Sequence, residues 1–262
     1  MKSSTLQKKA RIVIILLSWN LASNLISKEV LFEDNFEEAD AISQPSDEDA
    51  HPSALVGKWS LLKIGQDNQE SLTAIQVVNN PQPGTRNGKN YLAIEREKHS
   101  ILWAKFAKES TEEYLSISFQ IYVPKSSDPY ASPRFGLKSD VKDVHFTENV
   151  IFSHSLLANG QVRQHSSTGE FTTLGKFTLD KWISVRYDVN FDKKKYALTI
   201  DGNTYNNIDL GTDHDRAAQF LWYVGAAKGR FFLDEVLIME DSVDKYPFTI
   251  KNTSSVSVPI VT

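Results

Sequence analysis

Residues 179–202 read LDKWISVRYDVNFDKKKYALTIDG. Side chains along a β-strand alternate between two faces. Ile183, Val185, Tyr187 and Val189 therefore share one side, opposite Trp182, Ser184, Arg186 and Asp188. The polar turn FDKKK interrupts the pattern, and Tyr196, Leu198 and Ile200 resume it. Two alternating runs joined by a polar turn predict a β-hairpin with one buried and one wet face. Asp201-Gly202 marks a further tight turn, leading into TYNNIDL.

The same pattern extends in both directions. YLSISFQIYVP (114–124) puts Leu115, Ile117, Phe119, Ile121 and Val123 on one face, and Pro124 ends the run. Shorter strand candidates are 90–96, 101–107, 133–139, 149–157, 161–167, 220–226 and 230–238. Asn159-Gly160 separates two of them, as in a hairpin. GTDHDRAAQ (211–219) is read as a single helical turn. With no helical period and no internal repeat, the chain is expected to be all-β, with two packed antiparallel layers.

Composition narrows the chemistry. Among 262 residues there is no cysteine, which excludes disulfides, zinc–thiolate sites and cysteine catalysis. Lys8, Lys9 and Arg11 precede the apolar stretch IVIILLSWNLASNLIS, and no acid occurs before Glu29. That arrangement predicts a signal peptide over 1–27 and a protein secreted or delivered to a periplasm. The apolar run is short for a membrane span, so no membrane association is expected once the leader is removed. Taking Lys2, Lys8, Lys9 and Arg11 from the 29 basic residues leaves 25 against 33 acidic ones, a net charge of −8. Such a chain is a poor partner for nucleic acid, and for any anionic polymer unless a local basic groove exists. The expected organisation is a leader over 1–27, one domain over 28–240, and a Ser/Thr/Val-rich tail or edge strand over 241–262.

LFEDNFE (31–37), VGKWSL (56–61), the hairpin of 179–202 and the closing RFFLDEVLI (230–238) together resemble the concanavalin A-like lectin/glucanase superfamily, which includes laminin-G-like modules. The resemblance covers about residues 31 to 240 and implies a two-sheet antiparallel jelly-roll sandwich with its first and last strands side by side. It also offers a partner for Asp234, an acid within an apolar row, where an unpaired carboxylate is costly. Unbroken alternation groups Asp234 with Phe232, Val236 and Ile238. Glu33, Asp34 and Glu37 would lie close by. Carboxylates gathered in one place repel unless neutralised, and many relatives hold a structural calcium near these ends. Asp234, Glu33 and Asp34 are thus the expected Ca2+ ligands. The alternative is that Asp234 accepts backbone N–H groups, or pairs with Arg230 or a lysine.

The function expected of such a fold is binding of an extracellular glycan without chemistry. Sugar rings stack on aromatic faces beside polar partners. The expected ligand-binding residues are Tyr122, Arg134, Arg163 and Tyr223, although tryptophans such as Trp59, Trp103 and Trp182 equally suit core packing. The E-x-D-x-x-E strand of sandwich glucanases is absent. The main alternative is an enzyme of the jelly-roll type, either a glycoside hydrolase with an unfamiliar site or a polysaccharide lyase. A lyase needs a base beside groups that neutralise a uronate carboxylate, and Gln120, Tyr122, Arg134, His154 and Tyr223 supply those residue types, with Arg163 and His165 in addition. His154 alternates with Val150, Phe152 and Leu156, so it suits a neutral core histidine as well. An adhesive module with the tail as a stalk is the third reading.

Overall fold

A computed structural model describes residues 28–36, 54–56, 59–63, 75–79, 90–96, 100–128, 133–140, 150–166, 168–224 and 229–241. Their regular elements are all strands, numbered here in chain order. Sheet A runs β14 (Asn203–Asp209), β13 (Lys195–Ile200), β12 (Trp182–Asn190), β7 (Tyr114–Tyr122), β16 (Gly229–Asp241), β5 (Asn90–Arg96), β4 (Ile75–Asn79). β1 (Lys28–Asp34) also belongs to it, through β16. Sheet B runs β11 (Phe171–Lys176), β10 (Gln161–His165), β9 (Val150–Leu156), β8 (Pro133–Lys138), β15 (Gln219–Val224), β6 (Ser100–Lys105), β3 (Trp59–Lys63), β2 (Ala54–Val56). The pairings are antiparallel in both sheets, and the two layers enclose one large apolar core.

The hairpin that decided the fold is present in register, with Val185 opposite Ile200 and Asn190 opposite Lys195. Asn190 accepts the Lys193 N–H at 2.8 Å and so shapes the turn. Asp201 and Gly202 both have positive φ, 49° and 80°. That is the combination a two-residue type I′ turn requires. The alternating apolar residues of β7 and β12 are buried in the core as expected.

Residues 211–219 do not make the expected helical turn. The backbone there is used sideways: Ala217 and Ala218 accept N–H groups from Ser110 and Phe106, and Ala218 donates to Lys138. β16 runs through Asp241, which lies opposite Lys28. The expected leader over 1–27 and residues 242–262 lie outside the described residues.

β16 is the spine of sheet A. One edge pairs with β7 along most of its length; the other pairs first with β5, through 229–233, and then with β1, through 236–241. The opening and closing strands are therefore side by side. A bulge interrupts β16: Asp234 opposes Gln120 and Leu237 opposes Ser118, so Glu235 and Val236 together face Phe119. The extra residue resets the alternation. Phe231 and Leu233 point into the core before the bulge, and Val236 and Ile238 after it. This corrects the grouping of Asp234 with Val236 and Ile238: Asp234 shares the outer face with Phe232.

The core is aromatic. Trp59 meets Trp222 at 5.0 Å between ring centroids, and Phe152 stacks on Tyr187 at 4.6 Å and on Tyr196 at 4.7 Å. Burying one such side chain contributes about 2–3 kcal/mol. Within this packing His154, fully buried on β9, crosses between the layers. Tyr187 Oη lies 3.1 Å from its Nδ1 and Tyr196 Oη 3.1 Å from its Nε2. Burial, aided by the positive charges of His165 and Arg134, holds the imidazole at a pKa of about 3.

The neutral ring of His154 makes stability depend on acid. The unfolded chain takes up this proton near pH 6.5, the folded one only near 3. The contribution is complete above about pH 6.5 and is lost as pH falls towards 3. We expect chemical denaturation of the wild type to show stability declining through this window by several kcal/mol, with a visibly shallower decline for His154→Phe. Identical slopes for the two proteins would contradict this assignment.

Candidate functional site

The expected site residues do not form one constellation, because the two sheets stand back to back. Gln120 and Tyr122 lie on the outer face of sheet A, where Gln120 hydrogen-bonds Ser184 and Tyr122 packs with Tyr91, Trp182 and Phe232. Arg134, Arg163 and His165 lie on the outer face of sheet B. His154 is between the sheets, with both ring nitrogens bonded to tyrosines. Side chains on opposite outer faces are separated by a core about 10 Å thick. Gln120, Tyr122 and His154 therefore cannot join Arg134 around one sugar. The sequence lacked this information because parity assigns a face within a strand but not which sheet the strand enters.

Sheet B gathers the remaining residues. Across neighbouring strands Tyr223 opposes Arg134, Arg134 opposes Ser155, and Ser155 opposes Arg163. In the next outward-facing row Gly136 opposes Ser153, Ser153 opposes His165, and His165 opposes Phe171. Adjacent strands are about 4.8 Å apart, so Arg134 and Arg163 straddle Ser155 at two strand spacings. Ser153 and Ser155 are buried, while Arg134, Arg163 and His165 are half-buried. Small residues thus form a floor, with longer basic ones around it. Of Tyr223 the structure describes only the backbone position.

Hydrogen bonds order the floor. Arg134 Nε donates to Ser153 Oγ at 2.7 Å, and Ser155 Oγ lies 2.7 Å from His165 Nε2. Arg163 stacks its guanidinium 4.1 Å above the Phe171 ring and contacts Gln161 Oε1 at 3.4 Å. Its Nε is buried without a hydrogen-bond partner. Burial, together with the charges of Arg134 and Arg163, holds the His165 imidazole down at about 4. The ring is therefore neutral at physiological pH and feels both arginines. The two-residue offset of His165 from Arg163 is the sequence signal for their shared face.

The three expected calcium ligands at the first and last strands do not share one face. Asp34, paired with Val236, sits on the core side of β1, whereas Glu33 is exposed on the other side and Asp234 is on the outer face of β16. Asp34 accepts the Phe36 N–H and the Trp59 indole N–H, each at 2.8 Å, through different oxygens. Asp234 accepts the Glu235 N–H at 2.7 Å. These N–H donors stabilise both carboxylates. Among the described residues no group of three or more His, Asp or Glu side chains suits a metal ion. At the far end of the same pair of strands Lys108 bridges Glu29 at 2.7 Å and the buried Glu240 at 2.6 Å, and Glu240 also accepts the Thr111 N–H. Burial pushes the Glu240 pKa up, but Lys108 and the N–H donors outweigh it and hold the carboxyl below its usual value.

These pairings define a two-sheet antiparallel jelly-roll sandwich. The fold is similar to that of a solved sialidase, with a TM-score of 0.54 and 9% identity over 79% of this chain. This chain spans only 18% of that sialidase's length. It is also similar to lectin II from Ulex europaeus, with a TM-score of 0.50 and 10% identity over 82% of this chain and 100% of the lectin. No protein-family model and no curated protein sequence matches the chain.

The Asp34–Trp59 bond joins β1 of one sheet to β3 of the other. Asp34→Ala should lower unfolding stability by about 1–3 kcal/mol, and Trp59→Phe should remove the same bond at the cost of one unmatched carboxylate. Urea denaturation of the two single variants and the double variant checks this. Additive losses would show that the two side chains do not act as a pair.

Proposed function

We propose that the chain is an exported carbohydrate-binding jelly roll that uses the outer face of sheet B and performs no chemistry on its ligand. The observation that carries this reading is the gathering of Arg134, Arg163 and His165 around the small residues Gly136, Ser153 and Ser155 on three adjacent strands. A shallow floor with directional donors at its rim suits a sugar, whose hydroxyls need several hydrogen bonds and whose ring needs a flat approach. The exposed Phe171 ring beside Arg163 adds an apolar surface. The fold shared with a protein named as a lectin is in keeping with this use.

A polysaccharide lyase is the second reading, favoured by one observation: His165, and Tyr223 by register, neighbour the arginines. A base on this face would take a proton from the sugar carbon beside a carboxylate. The resulting electron pair would form a ring double bond and expel the glycosidic oxygen. His165 is a weak base for this purpose, since its pKa is held near 4.

A glycan array read with the full chain tests the principal reading. Hits should be lost in Arg134→Ala and Arg163→Ala with near-ultraviolet circular dichroism unchanged. They should persist in Arg186→Ala, which alters the outer face of sheet A. An empty array from a folded protein favours the adhesive module instead. Rising near-ultraviolet absorbance on a uronate polymer would establish the lyase. The calcium expected near Asp234 has its own readout: a melting midpoint raised by added Ca2+ and lowered by a chelator would establish it. An unmoved midpoint leaves the acids to their N–H donors alone.

A further inference from the structure

Charge is divided between the two sheets. The eight strands of sheet B contain Lys63, Lys105, Arg134, Lys138, Arg163 and Lys176, and not one Asp or Glu. The eight strands of sheet A contain ten Asp or Glu residues and only five Lys or Arg. The sequence as a whole has 33 acidic residues, so a sheet without any is a local inversion of the chain's character. Lys138 is buried, and Arg134, Arg163 and the exposed Lys176 supply the local basic surface without which an acidic protein would be a poor partner for anionic polymers.

Within that sheet two guanidinium groups flank the buried serines. Arg163 has no acidic partner among the described residues, and its buried Nε lacks an acceptor. A donor left unmatched in this way is costly, by about 1–3 kcal/mol. Phe171, which lies under the guanidinium, is itself 54% exposed, so a ligand at this edge need displace only a surface ring. Arg134 is held in place through Ser153, which orients its planar fork. Ser155 and the neutral His165 add short polar contacts between the two arginines. Oriented guanidinium groups pair with oxyanions in a geometry that neutral sugar hydroxyls do not demand.

We propose that this face recognises an acidic glycan, taking an oxyanion substituent of the sugar, carboxylate or sulfate, between Arg134 and Arg163. The inference rests on the glycan-binding reading and specifies its ligand class. The absence of carboxylates from the neighbouring strands keeps the field positive along the polymer's path, and the acidic sheet A faces away on the other side of the sandwich. Binding should therefore weaken as salt is raised.

The test is calorimetric titration of the full chain with a uronate oligosaccharide, a sulfated oligosaccharide and a neutral one of equal length, with inorganic sulfate as a fourth probe. One or both acidic sugars should bind and the neutral one should not. Whichever acidic sugar binds identifies the substituent. Arg163→Gln should weaken that binding about tenfold or more, Arg163→Lys should restore part of it, and Arg186→Ala should leave it unchanged. Equal binding of neutral and acidic sugars, unaffected by Arg163→Gln, would overturn the inference while leaving the glycan-binding reading intact. Binding of sulfate to wild type but not to Arg163→Gln, with no sugar bound, would retain the oxyanion site and overturn the glycan reading. No binding of any probe by a folded protein would overturn both.

Discussion

A strand of thirteen residues that must line a core along its whole length faces a parity problem, and β16 solves it with one bulged residue. Were Glu235 to take an ordinary place in the ladder, Val236 and Ile238 would lie on the outer face with Phe232. With the bulge, both halves of the strand bury apolar side chains against the same sheet. Glu235 adopts a left-handed backbone conformation, φ 48°, which is unfavourable for a residue with a Cβ. Asp234 offsets part of that cost by accepting the Glu235 N–H, one of the groups displaced from the regular ladder. The acid in the apolar run is therefore part of the device that lets β16 pair with β5 at one end and β1 at the other. Closure of the sheet by its first and last strands depends on it.

Closure places Glu29, Asp34, Asp234 and Glu240 on β1 and β16, and the chain serves these four carboxylates with N–H groups and one lysine. Lys108 serves two carboxylates at once, which raises its own pKa above the usual lysine value through hydrogen bonds to Glu240 and Glu29. Asp34 is served by an indole N–H from the opposite sheet. The edge is thereby fastened to the core, and the carboxylates are consumed in the fastening. Sheet B, which has none to consume, keeps its arginines available for an outward role.

Much of the fold was legible because most strands alternate without interruption. β7, β12 and β13 show their buried residues in the sequence, and Asp201-Gly202 and Asn159-Gly160 mark turns whose glycines have φ of 80° and 85°. β4, IQVVN, is short and nearly all apolar or amide, and carries no alternation to read. β11, FTTLGK, is an edge strand with its first three residues exposed, so burial leaves no imprint on it. The bulge was illegible for a different reason. An extra residue changes parity only relative to a neighbouring strand, and no neighbour is visible in a single run of letters. Grouping Asp234 with Val236 and Ile238 was the direct result.

The candidate site shows where parity ceases to be sufficient. His154 and His165 are both on strands of sheet B, and both have depressed pKa values for the same leading reason, burial. Yet one bridges two tyrosines in the interior and the other borders two arginines at the surface. Ser153, directly opposite His165, is the residue next to His154, and that single step along β9 carries the side chain through the sheet. The inner position selects a ring able to satisfy two hydroxyls without a charge. The outer position leaves a ring whose charge is suppressed mainly by burial and additionally by cations that an anion would neutralise. The same sheet thus uses one histidine to join the layers and presents the other beside the face proposed to bind.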